Sequence, residues 1–219
     1  TFAMKLPSFS FERKLWESGY KVVAGVDEVG CGSFAGPVVA GCVVFPPNTE
    51  HRSLFTKITI NDSKQLTPRQ REVADKWIRQ NALAWGIGAA SVFEINRLGI
   101  VKATEKAFRR AIAAAVVRSR PAVDFLLIDA FYIPYVSGLR RKNQKAIVKG
   151  DTKSISIAAA SIIAKVYRDK LMAKLGGSPK YKKYGWERNK GYGTAEHRQA
   201  IERYGITRLH RRQFVKGLG

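Results

Sequence analysis

Carboxylates follow two separate apolar stretches of the chain. Residues 22–26 lead into Asp27 and Glu28, and residues 125–128 lead into Asp129. The ligand-binding crevice of an α/β protein opens beyond the carboxyl ends of its strands, so we expect these acids to meet there. Crowded, buried acids are costly unless a cation compensates them, and their hard oxygen atoms suit Mg²⁺ or Mn²⁺. The pattern is typical of a two-metal site for phosphoryl transfer.

The charge of the chain indicates what such a site would act on. Its 219 residues include 39 Lys and Arg against 17 Asp and Glu, a formal net charge of +22. This excess concentrates polyanions and speeds their capture, so nucleic acid is the expected partner. The basic residues are spread through amphipathic segments, which disfavours a membrane surface. Any one of the acids taken alone is better explained as a cap of a turn or helix, but their arrangement in so basic a protein favours the metal site.

A glycine-rich segment, residues 30–36, follows the first acidic pair. It is not a dinucleotide-binding loop, because its glycine spacing is one residue off and a strand-like run follows it. Either a plain tight turn or a turn whose backbone approaches a ligand remains open. The remaining nucleophilic and metal-binding residue types fit neither a zinc site nor a serine-hydrolase motif; they are His51, His197, His210, Cys31, Cys42 and Ser33.

Three further segments could contact phosphates or bases. Residues 62–64 (Asp-Ser-Lys) could place Lys64 on a phosphate, although the triplet by itself is better explained as a solvated loop. Residues 181–192 interleave cations with aromatic rings, which can stack on sugars or bases or pack a small subdomain, with Trp186 the first candidate for packing. The segment 210–212 (His-Arg-Arg) is expected to be solvated unless the fold brings it to the groove.

These candidates need strands and helices to position them. Short Val-rich runs predict strands, and runs with one apolar side predict helices. The predicted strands are 22–26, 38–45, 85–92 and 124–128; the predicted helices begin at Pro68 and cover 101–117 and 155–175. This order predicts an α/β sandwich with a mixed sheet and a small helical C-terminal part. No apolar run approaches the roughly 20 residues of a membrane span and no leader pattern is present, so we expect a cytoplasmic protein that binds no membrane.

With these segments in view, the chain resembles bacterial ribonuclease HII, the type 2 ribonuclease H family, from about Val22 to Phe214. The resemblance rests on several strings, each weak alone but specific in their order and number. They are GVDE (25–28) with Gly30 and Gly32, AGPVV (35–39), NDSKQL (61–66), ID (128–129), KGD (149–151), AASIIAKV (159–166), KGYGT (190–194) and HRR (210–212).

The resemblance implies a ribonuclease H-like fold with flanking helices. It implies a catalytic domain over residues 1–175 and a helical substrate-binding extension over 176–219. Two divalent ions, Mg²⁺ or Mn²⁺, would be held by four catalytic carboxylates, which are Asp27, Glu28, Asp129 and Asp151. The residues alone leave the fourth carboxylate open between Asp151 and Asp169; the resemblance selects Asp151, and we expect Asp169 to pair with a base on its own helix.

The resemblance also implies a substrate. Gly30, Cys31 and Gly32 would read the ribose 2′-OH, which is what separates RNA from DNA at one site, while Lys64 contacts a phosphate and Tyr192 stacks on a neighbouring sugar. The implied partners are RNA–DNA hybrids and duplex DNA containing a misincorporated ribonucleotide. The implied cut lies 5′ of the ribonucleotide and leaves 3′-hydroxyl and 5′-phosphate ends. We expect a monomer.

One departure from the family and two alternative functions stand beside this interpretation. The family's turn carries arginine, or sometimes lysine, where this chain has Cys31; we expect activity to be retained with an altered substrate preference. A non-catalytic basic protein that binds nucleic acid would need no metal and would be indifferent to Asp27→Asn. Another metal-dependent phosphoryl-transfer enzyme of the same fold type, such as an integrase or junction nuclease, would cut without a 2′-OH.

Overall fold

A five-stranded sheet organises the computed structural model, which describes residues 6–47, 49, 58–119 and 122–218. His51 lies outside these ranges. The strands are β1 (Val23–Val29), β2 (Val38–Val44), β3 (Ala84–Ala90), β4 (Phe125–Asp129) and β5 (Gln144–Ile147). The helices are α1 (Ser10–Glu17), α2 (Pro68–Asn81), α3 (Val92–Leu98), α4 (Ile100–Ser119), α5 (Ile155–Gly176), α6 (Trp186–Asn189) and α7 (Ala195–Tyr204).

The sheet is mixed, as predicted. Its strand order is β3-β2-β1-β4-β5; β2 pairs antiparallel with β1 and β3, whereas β4 pairs parallel with β1 and β5. Helix α4 packs on one face of the sheet, and α5 with α2 packs on the other. The α/β class is therefore confirmed. Among the described residues, no helix is long and apolar enough to cross a bilayer.

Small residues bring α5 unusually close to the sheet. A side chain at Gly25 of β1 would collide with the α5 backbone at Ser156, and one at Gly41 of β2 would collide with it at Ala160. Three buried alanines in the first turns of α5, residues 158–160, complete this tight contact. The close packing places the next turns of α5, including Ser161, beside the end of β1.

Strand β1 is longer than predicted. The antiparallel pairing with β2 continues to Val29, opposite Val39, whereas the parallel pairing with β4 stops at Val26. Asp27 and Glu28 therefore lie inside the strand, at the point where it runs past its parallel neighbour. The prediction ended the strand at the first charged residue because the apolar run ends there, and the continuing backbone ladder was not visible in the residue types.

Two other elements differ from the prediction. Strand β5 was not predicted, because it has only four residues, two of them polar, and it lies at the sheet edge. Helix α3 begins at Val92, which the prediction placed in a strand; the Ser91 side chain caps this helix, and Glu94 completes the capping box. Ser91 is therefore the N-cap residue between the end of β3 and the first residue of α3, so the apolar Val92 belongs to the helix and not to the sheet.

The aromatic residues of the C-terminal part serve mainly for packing. The Trp186 ring is fully buried and stacks between those of Tyr181 and Tyr184, with centroid separations of 5.0 and 5.4 Å. Their cluster also includes Ala35 from the glycine segment and Met172 from α5. The helical C-terminal part therefore packs directly against the glycine segment, although the domain boundary at residue 175 stays a prediction.

Candidate active site

A cavity of about 470 Å³ opens where β1 runs past β4. Asp27, Glu28 and Asp129 line it, and so do Lys64, Tyr192 and the glycine turn Gly30–Gly32. Side chains alternate between the two faces of a strand, so the adjacent acids of β1 point to different sides. Asp27 interacts with Ser161 on the α5 side, and Glu28 accepts a hydrogen bond from Cys31, which contacts Thr104 of α4.

The fourth predicted carboxylate, Asp151, reaches this region through β5. That strand runs parallel to β4, and after it the Gly150 amide donates a 2.7 Å hydrogen bond to Asp129 Oδ1, which places Asp151 next in the chain beside Asp129. Asp151 is buried, although it does not line the cavity itself. Asp169 instead forms an ion pair with Lys165, four residues earlier on α5, with 2.8 Å between Oδ1 and Nζ, as expected.

The electrostatics of the four carboxylates are those of a crowded anionic site. Burial, followed by the charge of Glu28, raises the pKa of Asp27 well above its usual value. Burial and the charge of Asp129 raise the pKa of Glu28. Burial, with Asp62 and Asp129 nearby, raises the pKa of Asp151. Each shift reflects the cost of a negative charge that is partly removed from water and faces another of the same sign.

Lys64 faces this cluster. Burial alone would lower the pKa of Lys64, yet Asp62, Asp151, Asp27 and Asp129 raise it. Residues 62–64 are not a fully solvated loop, contrary to the expectation for the triplet taken alone, although Lys64 itself is exposed. Asp62 and Ser63 are buried, and the Ser63 hydroxyl lies 2.9 Å from that of Ser161 on α5. Asp62 is an acid near the site that the sequence analysis did not single out.

The donor set fits a hard divalent cation. It consists of carboxylate oxygens, which Mg²⁺ and Mn²⁺ prefer, and a bound cation would offset the mutual repulsion seen in the raised pKa values of Asp27, Glu28 and Asp151. Among the described residues, no group of three His, Cys, Asp or Glu side chains already has metal-ligand geometry. The assignment of the four ligands therefore stays a prediction.

The glycine turn rests on a buried arginine. Gly30 adopts a positive φ of 90°, and a side chain there would collide with Arg168. The Cys31 thiol is half-buried, 3.6 Å from Glu28 Oε1 and 3.5 Å from Thr104 Oγ1. Burial, with the charge of Glu28, raises the pKa of Cys31 to about 11. The thiol is therefore protonated at neutral pH.

Arg168 and Arg211 are both fully buried, and within the described part of the chain their side chains donate hydrogen bonds to backbone carbonyl oxygens. Arg168 donates to the carbonyls of Ala35, Pro37 and Lys190; Arg211 donates to those of Cys31 and Gly36. Buried charges without a carboxylate partner are costly, and burial, with Arg168 nearby, lowers the pKa of Arg211 to about 9. The pair fastens the glycine turn to the segment that precedes Tyr192.

The expectation that residues 210–212 are solvated is therefore wrong for the first two of them. The Arg211 amide donates to the Phe34 carbonyl at 2.8 Å, and His210 pairs with Ala35 as an isolated β-bridge. These backbone bonds turn the Arg211 side chain inward. No local sequence signal distinguishes it from Arg212, which is exposed, since the two are adjacent and chemically identical.

A pair of buried histidines supports Tyr192. His197 Nδ1 lies 2.9 Å from the Tyr192 carbonyl, and the Nε2 atoms of His197 and His210 lie 3.1 Å apart. His210 Nδ1 accepts from the Thr207 amide at 2.8 Å, so its proton must lie on Nε2 and be donated to His197. This arrangement requires both rings to be neutral.

Acidification is therefore expected to destabilise the protein. Burial, with His197 nearby, lowers the pKa of His210 from 6.5 to about 4. The folded state then binds fewer protons than the unfolded state, so this contribution to stability is complete above pH 6.5 and is lost as the pH falls to 4. The expected loss is about 1.4 kcal/mol per pH unit for each proton. Chemical denaturation of the native protein and of His210→Gln across this range measures it; parallel pH slopes would contradict the prediction.

The described fold matches those of solved ribonucleases H. The crystal structure of ribonuclease H2 from Pyrococcus horikoshii superposes with a TM-score of 0.70 at 26% identity, over 90% of this chain and 96% of that one. That of Bst-RNase HIII in complex with Mn²⁺ superposes with a TM-score of 0.69 at 22% identity, over 87% and 65%; at this identity it shows the fold alone. The molecule is thus an α/β protein of the ribonuclease H type.

Sequence comparison identifies the family more narrowly. The family model described as Ribonuclease HII matches residues 24–217. The Ribonuclease HII of Thermosynechococcus vestitus is 45% identical over 211 residues, which cover 96% of this chain and 92% of that protein. The chain belongs to the ribonuclease HII family, whose members are endoribonucleases, as its sequence motifs predicted.

Proposed function

We propose that the protein is a divalent-metal-dependent endonuclease that hydrolyses the RNA strand of RNA–DNA hybrids and cuts 5′ of single ribonucleotides in duplex DNA. The observation that carries the proposal is the crowding of Asp27, Glu28, Asp129 and Asp151 around Lys64 beside the glycine turn. Acids without a bound cation would repel a phosphate, whereas the +22 charge of the chain attracts nucleic acid. A cation bound by the acids would remove this conflict at the cavity. Membership of the ribonuclease HII family supports the same activity.

The four carboxylates would hold two ions, Mg²⁺ or Mn²⁺. When bound there, such ions supply an activated water and charge stabilisation at the leaving oxygen. Asp129 is held in place by the Gly150 amide, and Asp27 by the amide of Glu28 at 2.8 Å, so the carboxylates are oriented before substrate arrives. The exposed end of Lys64 would contact the phosphate and offset the charge that develops during hydrolysis.

The glycine turn and Tyr192 would recognise the nucleotide. Gly32 has no neighbouring atom within 4 Å of where a Cβ would lie, so its backbone is open to a close ligand. Arg168 and Arg211 hold the turn from beneath, which fixes the backbone groups that would bind the 2′-OH. The Arg168 guanidinium lies 5.3 Å from the centroid of the Tyr192 ring, so the ring that would stack on the next sugar is also held in place.

Cleavage of a labelled DNA duplex carrying one ribonucleotide tests the proposal. We expect a cut 5′ of the ribonucleotide with Mg²⁺ or Mn²⁺, no cut with EDTA, and no cut of the all-DNA duplex. The products should have 3′-hydroxyl and 5′-phosphate ends, and the RNA strand of a hybrid should be cut as well. Cleavage of the all-DNA duplex would favour the integrase-like alternative, and binding without cleavage would favour the non-catalytic one.

Cys31→Arg is expected to bind the nucleic acid substrate more strongly than the native protein, which we expect to be active without this substitution. Cys31 lines the cavity and its thiol already contacts Glu28 and Thr104, so the longer side chain of arginine would extend into the cavity and reach a phosphate. We expect a KM lowered a few-fold and a salt dependence steeper by about one counterion. Steady-state kinetics of the native protein, Cys31→Arg and the uncharged control Cys31→Ser measure this. An inactive native protein beside an active Cys31→Arg would show that the turn needs the side chain.

The cellular role follows from this chemistry as part of the proposal. A monomer of this activity in the cytoplasm would begin the removal of ribonucleotides misincorporated into DNA. The C-terminal extension from residue 176 would carry Tyr192 and act in substrate binding, while residues 1–175 would carry the four carboxylates.

A further inference from the structure

A second, larger groove lies next to the active site. Its volume is about 840 Å³, and it runs between α3 and the segment 206–212 near the C-terminus. We call it the α3 groove. Phe93 and Ile206, which are 70% and 50% exposed, supply its apolar surface. None of the residues that the sequence motifs singled out for chemistry lines it, apart from residues 210 and 212 of the His-Arg-Arg segment.

The charge of the α3 groove is entirely positive. Arg97, Arg208 and Arg212 line it and are exposed, and none of the described residues that line it is acidic. Within the described part of the chain, no carboxylate lies within ion-pair distance of these three arginines. The nearby acid of α3, Glu94, is already bound by Lys106 at 2.7 Å and Arg110 at 2.8 Å. The arginines are therefore available to an anionic ligand.

One short segment of the chain, residues 210–212, contacts both the α3 groove and the glycine turn. Arg211 points inward to the Cys31 carbonyl, while its neighbours His210 and Arg212 line the groove. Asn96 of α3 fixes this geometry, because it donates to the His210 carbonyl and accepts from the Arg212 amide at 2.9 Å. This segment therefore places the α3 groove near the turn on which the nucleotide would lie.

We propose that the α3 groove binds the phosphate backbone of the nucleic acid that flanks the cleaved nucleotide. Three arginines can neutralise successive phosphates, while Phe93 offers a ring to a sugar or base. The occupant is assigned by charge: an all-positive groove beside a site for a polyanion suits the same polyanion. The inference rests on the proposed function, since it takes the substrate to be a nucleic acid duplex, and adds a surface that extends its contacts beyond the cleavage site.

Binding of duplexes of two lengths tests the proposal. The groove variant is Arg97→Gln, Arg208→Gln and Arg212→Gln combined. The control variant removes the same charge at the start of β5, which is the end of the parallel strands opposite to Asp129; it combines Arg140→Gln, Arg141→Gln and Lys142→Gln, all exposed in the native protein. Affinities are measured in EDTA, so that no cleavage is needed, for a duplex of about 30 base pairs and for one just long enough to cover the cleavage site.

For the long duplex, we expect the groove variant to bind about tenfold or more weakly at physiological salt, with a logarithmic salt slope reduced by up to about 3. The short duplex should bind nearly as it does to the native protein, and the control variant should lose much less on the long one. Equal losses in both variants, equal losses on both duplexes, or no loss at all would each overturn the proposal. An α3 groove that binds a protein instead would give the last result.

The same experiment separates this inference from the function on which it rests. If the native protein bound the long duplex but cut no ribonucleotide in any metal, the proposed function would fail, while the binding comparison would still decide the role of the groove. If cleavage were as proposed and the groove variant lost no affinity, only the groove assignment would fail. Circular dichroism and thermal unfolding of both variants confirm that the folded proteins are being compared.

Discussion

Asp27→Asn is expected to reduce cleavage by about a thousandfold or more while leaving nucleic acid binding intact. The amide keeps the shape of the carboxylate and can still accept from the Glu28 amide, but it carries no charge to hold a cation. Losing about 4 kcal/mol of charge stabilisation in the transition state corresponds to this factor. Stability should be unchanged or slightly raised, because Asp27 is buried and repelled by Glu28 and Asp129 in the native protein.

Single-turnover cleavage, duplex binding in EDTA and thermal unfolding together measure this result. Asp169→Asn is the matched control, since it removes an acid from an ion pair with Lys165 on α5 but not from the carboxylate cluster. Its cleavage rate should remain within a few-fold of native. Cleavage by Asp27→Asn at the native rate would remove Asp27 from the ligand set and would favour the non-catalytic alternative for this site.

Gly32→Ala is expected to weaken cleavage of a ribonucleotide by about a hundredfold without affecting the fold. The structure has open space where the new methyl group would lie, and the φ angle of Gly32 is outside the left-handed region, so folding itself does not require glycine. A requirement for glycine would therefore come from the substrate, whose ribose would meet the methyl group. A displacement of about 1 Å from the reactive geometry can cost this factor.

Gly30→Ala gives the contrasting outcome and serves as the comparison. Its positive φ and the contact with Arg168 mean that alanine strains the turn before any substrate binds. We expect a clear loss of thermal stability, typical of overpacking at about 1–3 kcal/mol. Unfolding curves and kinetics of both variants measure the difference. Native activity in Gly32→Ala would show that the ribose does not approach the turn at that residue.

The sequence determined the class of the fold and most of the candidate residues. The Val-rich runs and the long apolar stripe of α4 predicted the strands and helices that form the mixed sheet, because burial of one face imposes a period on the residues. Apolar stretches that lead into Asp27, Glu28 and Asp129 predicted where acids would gather. The order of several short strings then selected the ribonuclease HII family, and the family model confirms it.

Residue types alone could not determine how far each strand extends or which further acid lies near Asp129. Strand β1 continues through Asp27 and Glu28 because β2 pairs with it there, and a backbone ladder leaves little trace in side-chain type. Asp151 lies beside Asp129 through β5 and the amide of Gly150, a contact between segments 21 residues apart. Strand β5 has only four residues, two of them polar, which is too short to show an apolar period from which this contact could be predicted.

The buried arginines show what only the tertiary structure decided. Arg211 and Arg212 are neighbours of the same type, yet one holds the Cys31 carbonyl in the interior and the other faces the α3 groove. Their difference depends on hydrogen bonds from the Arg211 amide to the Phe34 carbonyl and from the Arg212 amide to the Asn96 side chain, which join residues more than a hundred positions apart. Composition and local spacing describe how each segment folds on its own, whereas the direction of a charged side chain depends on which distant backbone groups it can satisfy.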